Sequence, residues 1–448
     1  MDEYDYQNIL PDVKKLHGKK AIFLLGTDRH IGAGSFENVE KRVGVTPAQV
    51  KALREWLADK GIFLDFYFVQ GAGVRAGYDD GDYLSVGGQL VFEDQLSALP
   101  SPYVVHALKE PCTYESFIPG PFIRIGALHS GAFDTTSGLA SLLRKKNVCA
   151  IFDGSNIGGY SHNITGGAEI PIRASMSVFA GEIAADYVGE QFSLTKQSGK
   201  IVISGGGVVG IAAIRRLLDN YQDICEKIII IELNPEKCVQ LKQLFNDFQI
   251  VQIVQSGKIT ADDLKGANAL ILNAFKHGHP APKVVELNDL SNLNDNSIIV
   301  DVSIDEKGGI AIPDIDLNKL PLDEVSKLVK QNIDNLRKDI RYVADSHMPK
   351  KYPFEASRSH GKAILPYLAL LLYVSAREGG ASQAVNYIFQ EKETEKTTDY
   401  FKALIYDLKQ GLACRRPDPI YVSNSVMEGV LNEVTEFLKD EGTPCQVE

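Results

Sequence analysis

Four polar residues stand beside runs that read as β-strands, and their types suit work on an anionic carbonyl compound. Lys109 follows Tyr103-Val-Val-His-Ala-Leu108, His129 follows Phe122-Ile-Arg-Ile-Gly-Ala-Leu128, and Asp305 follows Ile298-Ile-Val-Asp-Val-Ser-Ile304. Arg42 lies in the loop after a first strand, Ala21 to Leu25. In open α/β sheets, ligands bind beyond the carboxyl ends of strands. A guanidinium suits a carboxylate, an ammonium stabilises a developing oxyanion, and a neutral imidazole can move a proton near pH 7. Each residue also has an ordinary alternative. Lys109 and His129 could be solvated strand-end groups, Asp305 could begin the turn Asp-Glu-Lys-Gly-Gly, and Arg42 could pair with Glu40 on the surface.

A second constellation is local and more specific. Lys200-Ile-Val-Ile-Ser-Gly205-Gly-Gly207-Val-Val-Gly210 is a β-branched run entering a glycine turn, and Ile228-Ile-Ile-Ile-Glu232 is a second strand ending on an acid. Strand, glycine turn, helix and acid-tipped strand, in that order, form a dinucleotide-binding βαβ unit. Gly205 permits the turn, Gly207 lets backbone approach a pyrophosphate, and Gly210 lets the helix pack close to the strand. The helix N-terminus offers unpaired N–H groups and partial positive charge. Glu232, about 20 residues past the last glycine, can accept from both ribose hydroxyls and would repel a 2′-phosphate, so NAD is expected rather than NADP. The cofactor-binding residues expected around this unit are Gly205, Gly207, Val208, Val209, Gly210, Glu232, Leu233, Asn273 and Ala274.

The elements that must hold these residues are those of an α/β protein. Thr46-Pro47 caps and starts a helix with Val50, Leu53, Leu57 and Ala58 at helical spacing, stopped by Gly61. Phe63 to Val69 and Val148 to Phe152 read as strands, and Thr135 to Lys146 as a helix. A bridging helix is expected from about Ser177 to Glu190, ahead of the glycine strand. Ile250 to Val254, Ala269 to Asn273, Ser297 to Val302 and Ile340 to Ala344 continue the second pattern. Strands alternating with helices imply mostly parallel sheets. The expected fold class is therefore α/β, two Rossmann-like doubly wound domains with a cofactor and substrate cleft between them, closing about a hinge. The substrate domain is discontinuous, 1–172 plus 357–448, and the NAD-binding domain is 173–356. The apolar helix Ile364 to Ala376 returns the chain to the first domain, followed by amphipathic helices near Thr398 to Gly411 and Ser425 to Lys439.

Composition narrows the class. The 448 residues are 44% hydrophobic and 23% charged, enough for sizeable cores. A net charge of −11 with no basic stripe argues against a nucleic-acid or anionic-membrane partner. The run Ala363 to Ala376 is too short to span a bilayer, and the acidic N-terminus is no signal peptide. The six cysteines have no C-x-x-C or ladder spacing, so a reduced cytoplasmic protein without a bound metal is expected.

From Phe36 to Leu372 the chain resembles the alanine dehydrogenase and pyridine nucleotide transhydrogenase superfamily, which includes saccharopine dehydrogenase-like members. Glu40-Lys-Arg42-Val-Gly-Val-Thr-Pro47 resembles the family's E-x-R-V-A-[IL]-T-P signature, and Val69-Gln-Gly-Ala-Gly73 through Gly87-Gly-Gln-Leu-Val91 the segment that follows it. Lys109-Glu-Pro111 matches K-E-P, Leu128-His129 the family histidine, and Ser175-Met176-Ser177-Val-Phe-Ala-Gly181 the P-M-S-x-x-A-G helix start. The glycine loop and Val300-Asp-Val-Ser-Ile-Asp305 follow in order. The resemblance implies that Arg42 and Lys109 hold the carboxylate and carbonyl of an oxo acid, with Met176 beside them. It makes His129 the acid/base, Asp305 its neighbour that orders water or ammonia, and Ser177 a cofactor contact. It also implies a homo-oligomer.

The chain departs from the family after its last Rossmann strand. Ala344-Asp-Ser-His347-Met-Pro349 and Phe354-Glu-Ala-Ser-Arg358-Ser-His360-Gly-Lys362 replace a small hydroxylated loop with a charged one, and Arg173 stands where an apolar residue is usual. Arg173, His347, Arg358 and His360 are expected either to favour a larger or more anionic substrate or to face solvent or a subunit contact. The resulting expectation is an NAD-dependent oxidoreductase that interconverts an L-amino acid with a 2-oxo acid and ammonia. An opine- or saccharopine-type dehydrogenase, joining an oxo acid to an amino acid, is the alternative. A non-catalytic NAD(H)-binding sensor is the reading from a different class.

Overall fold

A computed structural model describes residues 13–27, 40–109, 112–126, 147–154, 157, 172–274, 280–345, 348–390, 399–410 and 412–415. The chain divides into two compact units, one formed by Met1–Met176 with Tyr352–Glu448 and the other by Ser177–Lys351. Each is built on a doubly wound sheet flanked by helices.

The first sheet contains β1 (Lys19–Leu25), β2 (Ile62–Val69), β3 (Gln89–Val91), β4 (Val104–His106), β5 (Phe122–Gly126) and β6 (Val148–Asp153). Its spatial order is β3-β2-β1-β4-β5-β6, all parallel, and Leu412–Arg415 adds an antiparallel strand beside β6. The order reverses direction between β1 and β4, which is where such sheets leave a crevice beyond their carboxyl ends. Thr46 caps the helix Pro47–Asp59 in a reciprocal box with Gln49. Gly61 ends it with φ +75, a left-handed conformation in which a Cβ would lie 1.6 Å from Leu16 O.

The apolar run near Leu372 belongs to a 26-residue helix, Pro353–Glu378, that begins with Pro353 and runs on through Pro366. From Ala363 to Ala376 it is buried all round, packed with the first sheet and the helix Pro47–Asp59 in one core. Burial on every face stabilises the helix enough to carry one internal proline, which forfeits a backbone hydrogen bond. The charged stretch before it, expected as a loop, forms the first turns of this helix. The chain then continues through the helices Ala381–Gln390 and Asp399–Gln410.

The second sheet contains β7 (Gly199–Ser204), β8 (Cys225–Glu232), β9 (Val251–Gln255), β10 (Ala267–Leu272), β12 (Ile298–Asp301) and β14 (Arg341–Val343). Its order is β9-β8-β7-β10-β12-β14, again all parallel. β11 (Val285–Glu286) and β13 (Ile310–Ala311) form a separate short pair. The bridging helix is longer than its sequence pattern indicated, Ile172–Thr195. Its Gly181 packs so tightly that a Cβ there would lie 2.2 Å from Val209 O. Among the described residues no helix is long and apolar enough to cross a membrane.

Candidate functional site

In the second unit the glycine turn follows β7, where the strand order reverses between β7 and β10. Gly205 takes φ +86, the left-handed conformation a side chain resists. The helix Val208–Asn220 starts at Gly207, and a Cβ on Gly210 would fall 2.2 Å from Gly205 O. Around Gly207 the nearest atom to a notional Cβ is Lys237 Nζ, at 3.9 Å, so the backbone there is open to a ligand. Ser204 Oγ accepts from Asn273 N at 3.0 Å and Ala274 N at 3.3 Å, tying the end of β7 to the loop after β10. Glu232 accepts from Gly206 N at 2.7 Å and from Asn234 N at 2.8 Å, one bond to each carboxylate oxygen. Each oxygen keeps a second lone pair for a ribose hydroxyl.

Leu233 is 70% exposed and Val208 42% exposed beside this turn, while Gly210 is buried. Sequence reading overlooked Gly206 and Lys237. A Cβ on Gly206 would come 2.3 Å from Leu241 Cδ1, and Lys237 stands one turn into the helix Pro235–Leu244 that Asn234 caps. Gly210→Ala is expected to lower the melting temperature, because the overpacking penalty of about 1–3 kcal/mol exceeds the gain of about 1 kcal/mol from replacing a helical glycine. A thermal melt that rises instead would disprove the close approach.

In the first unit Arg42 is 5% exposed and Lys109 is 9% exposed. Arg42 does pair with Glu40, but the pair is buried. Nε donates to Oε1 and Nη2 to Oε2, both at 2.6 Å, and the Arg42 amide adds a bond to Oε1 at 2.9 Å. Arg42 Nη1 meets Met176 Sδ at 3.1 Å, which places the expected substrate residue Met176 against the guanidinium. Burial pushes the Glu40 carboxyl up, but Arg42 and then Lys109 pull it further down, far below its ordinary 4.5. Val43 N donates to Ser357 Oγ at 2.9 Å, so the long helix fixes this loop.

Two histidines underlie the same cluster. His106, the last residue of β4, stacks on His360 with ring centroids 5.6 Å apart and 11° between planes. Both are fully buried, and His106 Nδ1 bonds to Ile125 O at 2.8 Å. Burial holds His106 down to about 4, with the Arg124 charge adding to the effect against the Ile125 bond. Burial, and then the charges of His106, Arg42 and Lys109, hold His360 well below 6.5 against the pull of Glu40. Near pH 7 His360 is thus a neutral buried imidazole. It neither faces solvent nor adds charge toward a substrate, contrary to both expectations for it. Arg358 is half-buried, 5.8 Å from the centroid of the Phe354 ring.

Asp305 belongs to the turn Val302–Glu306 after β12; only its backbone is described. Asp301, buried at the head of that turn, accepts from Ser303 N at 3.1 Å, Ser303 Oγ at 2.6 Å, Gly309 N at 3.3 Å and Tyr342 Oη at 3.3 Å. Lys283 Nζ donates to Lys307 O at 2.5 Å and Gly308 O at 2.6 Å, closing its far end. Ser177 stands half-buried in the helix Ile172–Thr195. His129 and His347 lie outside the described residues, as does the expected helix Thr135 to Lys146; Arg173 is described only in its backbone.

Residues 191–390, which include the glycine turn, Glu232 and the Asp301 turn, match the family described as alanine dehydrogenase/PNT, C-terminal domain. Over a longer stretch the chain is 27% identical to the alanine dehydrogenase of Staphylococcus haemolyticus (strain JCSC1435), across 361 residues, 76% of this chain and 86% of that one. Residues 191–390 thus carry the C-terminal domain type of the alanine dehydrogenase/PNT family. The alanine dehydrogenase of Bacillus subtilis (strain 168) is 28% identical over 288 residues, 61% of this chain and 69% of that one. Among solved structures, an L-alanine dehydrogenase aligns with TM-score 0.61 at 19% identity, covering 92% of this chain and 99% of the other. A transhydrogenase from Sinorhizobium meliloti gives 0.59 at 16% identity, covering 79% and 96%. The present chain shares the fold of these two.

Proposed function

We propose that this chain is a member of the alanine dehydrogenase and transhydrogenase superfamily and an NAD-dependent amino-acid dehydrogenase, interconverting an L-amino acid with a 2-oxo acid and ammonia. The observation that supports it most is the buried Arg42–Glu40 pair with Met176 Sδ 3.1 Å from the guanidinium, together with the buried Lys109, whose charge also lowers the Glu40 carboxyl. A carboxylate and an adjacent carbonyl need a guanidinium and an ammonium in this proximity. The Nε–Nη2 edge of Arg42 is committed to Glu40, so a substrate carboxylate would meet the Nη1–Nη2 edge, beside Met176.

The residues of the glycine turn fit a dinucleotide. Gly207 leaves room for a pyrophosphate, the helix Val208–Asn220 presents its N-terminus, and Glu232 retains acceptor capacity for ribose. When bound, NADH would supply the hydride. Lys109 would stabilise the charge on the carbonyl oxygen, and His129 would carry the proton as the amine-bearing carbon passes through an imine. Asp305 would order the water or ammonia.

The test is NADH consumption against a panel of 2-oxo acids, each with ammonia and then with a mixture of amino acids. Consumption with ammonia is expected. Consumption only with amino acids would replace this reading with the opine or saccharopine type, and none at all, with NADH binding confirmed, would favour the sensor. His129→Ala is expected to lose about 10²–10⁴-fold in turnover while keeping its NADH affinity. Unchanged turnover would remove the acid/base role.

A further inference from the structure

Arg124 is a charged residue in the middle of the apolar strand β5, and none of its surface is exposed. Its guanidinium is spent on its own chain. Nε donates to Glu115 Oε2 at 2.7 Å, and Nη2 to Glu115 Oε1 at 3.3 Å. Nη1 donates to Ala107 O at 3.0 Å and Ile125 O at 2.5 Å, and Nη2 to Lys109 O at 2.9 Å. Glu115 is equally buried, and its Oε1 also accepts from Cys112 N at 3.1 Å. The backbone makes room for this arrangement. A Cβ on Gly126 would lie 2.5 Å from Arg124 Nη1 and 2.2 Å from Ala107 O.

Stability alone is a poor reason for such a pair. A buried Arg–carboxylate pair is often no more stabilising than apolar residues of similar volume, because both charges leave water. What the pair does here is specific. β4 ends at His106, so the carbonyls of Ala107 and Lys109 have left the strand and no longer gain alignment from it. One planar fork with fixed donor directions holds both, on the two sides of Leu108. The turn Thr113–Phe117 anchors that fork through Glu115, and Tyr114 in the same turn bonds to Thr27 O at 2.7 Å and accepts from Thr27 N at 2.8 Å. The ends of β1 and β4 are thereby cross-linked around the residue that carries the ammonium.

We propose that Arg124, oriented by Glu115, is a positioning residue that sets the Lys109 ammonium for its work on the carbonyl oxygen. This rests on the proposed role of Lys109. A displacement of about 1 Å at a reacting group can reduce the rate about 10²-fold. Arg124 therefore matters through kcat, although it touches neither substrate nor cofactor.

The test uses the full chain with Arg124→Met and Glu115→Leu combined, which removes both charges and leaves neither buried alone. The variant is expected to fold with a lowered melting temperature, because the Ala107 and Lys109 carbonyls lose their donors, and to bind NADH as before. Its kcat should fall about 10- to 100-fold with the oxo-acid KM nearly unchanged, the pattern of a lost transition-state interaction. Lys109 should also become more reactive toward an amine-directed reagent, read by peptide mass spectrometry, a result that does not depend on turnover. Wild-type kcat and unchanged Lys109 labelling would overturn the proposal. If the double variant does not fold, Arg124→Lys keeps the charge opposite Glu115 but cannot reach both carbonyls. Reduced kcat and faster Lys109 labelling there would support the proposal, and wild-type values of both would overturn it. Lys109→Met separates the two ideas: if it leaves turnover intact, the role of Lys109 fails whatever Arg124 does.

Discussion

Glu40→Gln is expected to destabilise the protein by about 3–5 kcal/mol and to raise the KM for an oxo acid at least about tenfold. The amide keeps the shape of the carboxyl but offers one acceptor oxygen where Arg42 Nε and Nη2 now find two. Its NH2 would face the guanidinium, leaving a charge that is only 5% exposed without its counterpart. The predicted loss is a large fraction of the total stability of a typical domain, about 5–15 kcal/mol. The fork would also lose the bidentate contact that orients its remaining edge toward a carboxylate. Urea midpoints and steady-state KM values read the two effects separately. A wild-type midpoint with a wild-type KM would mean that Glu40 neither holds nor orients Arg42.

The same cluster sets a pH dependence. His106 and His360 have folded-state pKa values below their ordinary 6.5, His106 at about 4. Each contributes stability that is fully present above 6.5 and is lost as pH falls toward its folded-state value. Glu40 is depressed from 4.5, so its contribution is fully present above 4.5 and is lost at still lower pH. Unfolding midpoints should therefore decline from pH 6.5 toward 4, with Glu40 adding to the decline below 4.5. Glu40→Gln should keep the upper part of that decline and lose the lower. A wild-type midpoint flat across this range would contradict the burial of the two imidazoles.

The glycine turn was legible because its logic is local. Strand, turn, helix and Glu232 fall within one short stretch, and each glycine has a steric reason visible in the pattern. The Glu40–Arg42 pair was legible only as a pair. Its burial depends on the helix Pro353–Glu378, whose Ser357 reaches Val43 from 314 positions away. His360 was misread for the same reason. Among Glu355, Arg358 and Lys362 it reads as part of a charged loop, yet on a helix those three, spaced i, i+3 and i+7, share one face, and His360 lies on a different, buried one. Arg124 was passed over because a charge in an apolar strand has no periodic signature. The carbonyls it serves are near in space only because β4 and β5 are neighbours. The amphipathic helix Leu322–Leu336 escaped notice because its apolar stripe is diluted by Lys, Asn and Asp.

Asp301→Asn should have the second large effect, on the turn that carries Asp305. Four donor contacts from Ser303, Gly309 and Tyr342 converge on the two carboxylate oxygens of Asp301. An amide turns one oxygen into a donor, so at least one of those groups loses its acceptor inside a buried site, at about 1–3 kcal/mol each. The turn Val302–Glu306 is then held mainly at its far end, by Lys283 on the Lys307 and Gly308 carbonyls. With the backbone under Asp305 loosened, kcat is expected to fall by about 10²-fold, while NADH affinity stays within about twofold. The pH profile gives a second reading. Burial raises the pKa of Asp301 above 3.8, against hydrogen bonds from Ser303, Gly309 and Tyr342 and the charge of Lys283. The stability it gains by holding its proton is present below 3.8 and is lost as pH rises through the folded-state value. Asn cannot titrate, so the variant should lack that decline. A variant with a lowered melting temperature, the same pH slope as wild type and wild-type kcat would confine Asp301 to holding the fold, because loosening the turn would then have left Asp305 where it acts.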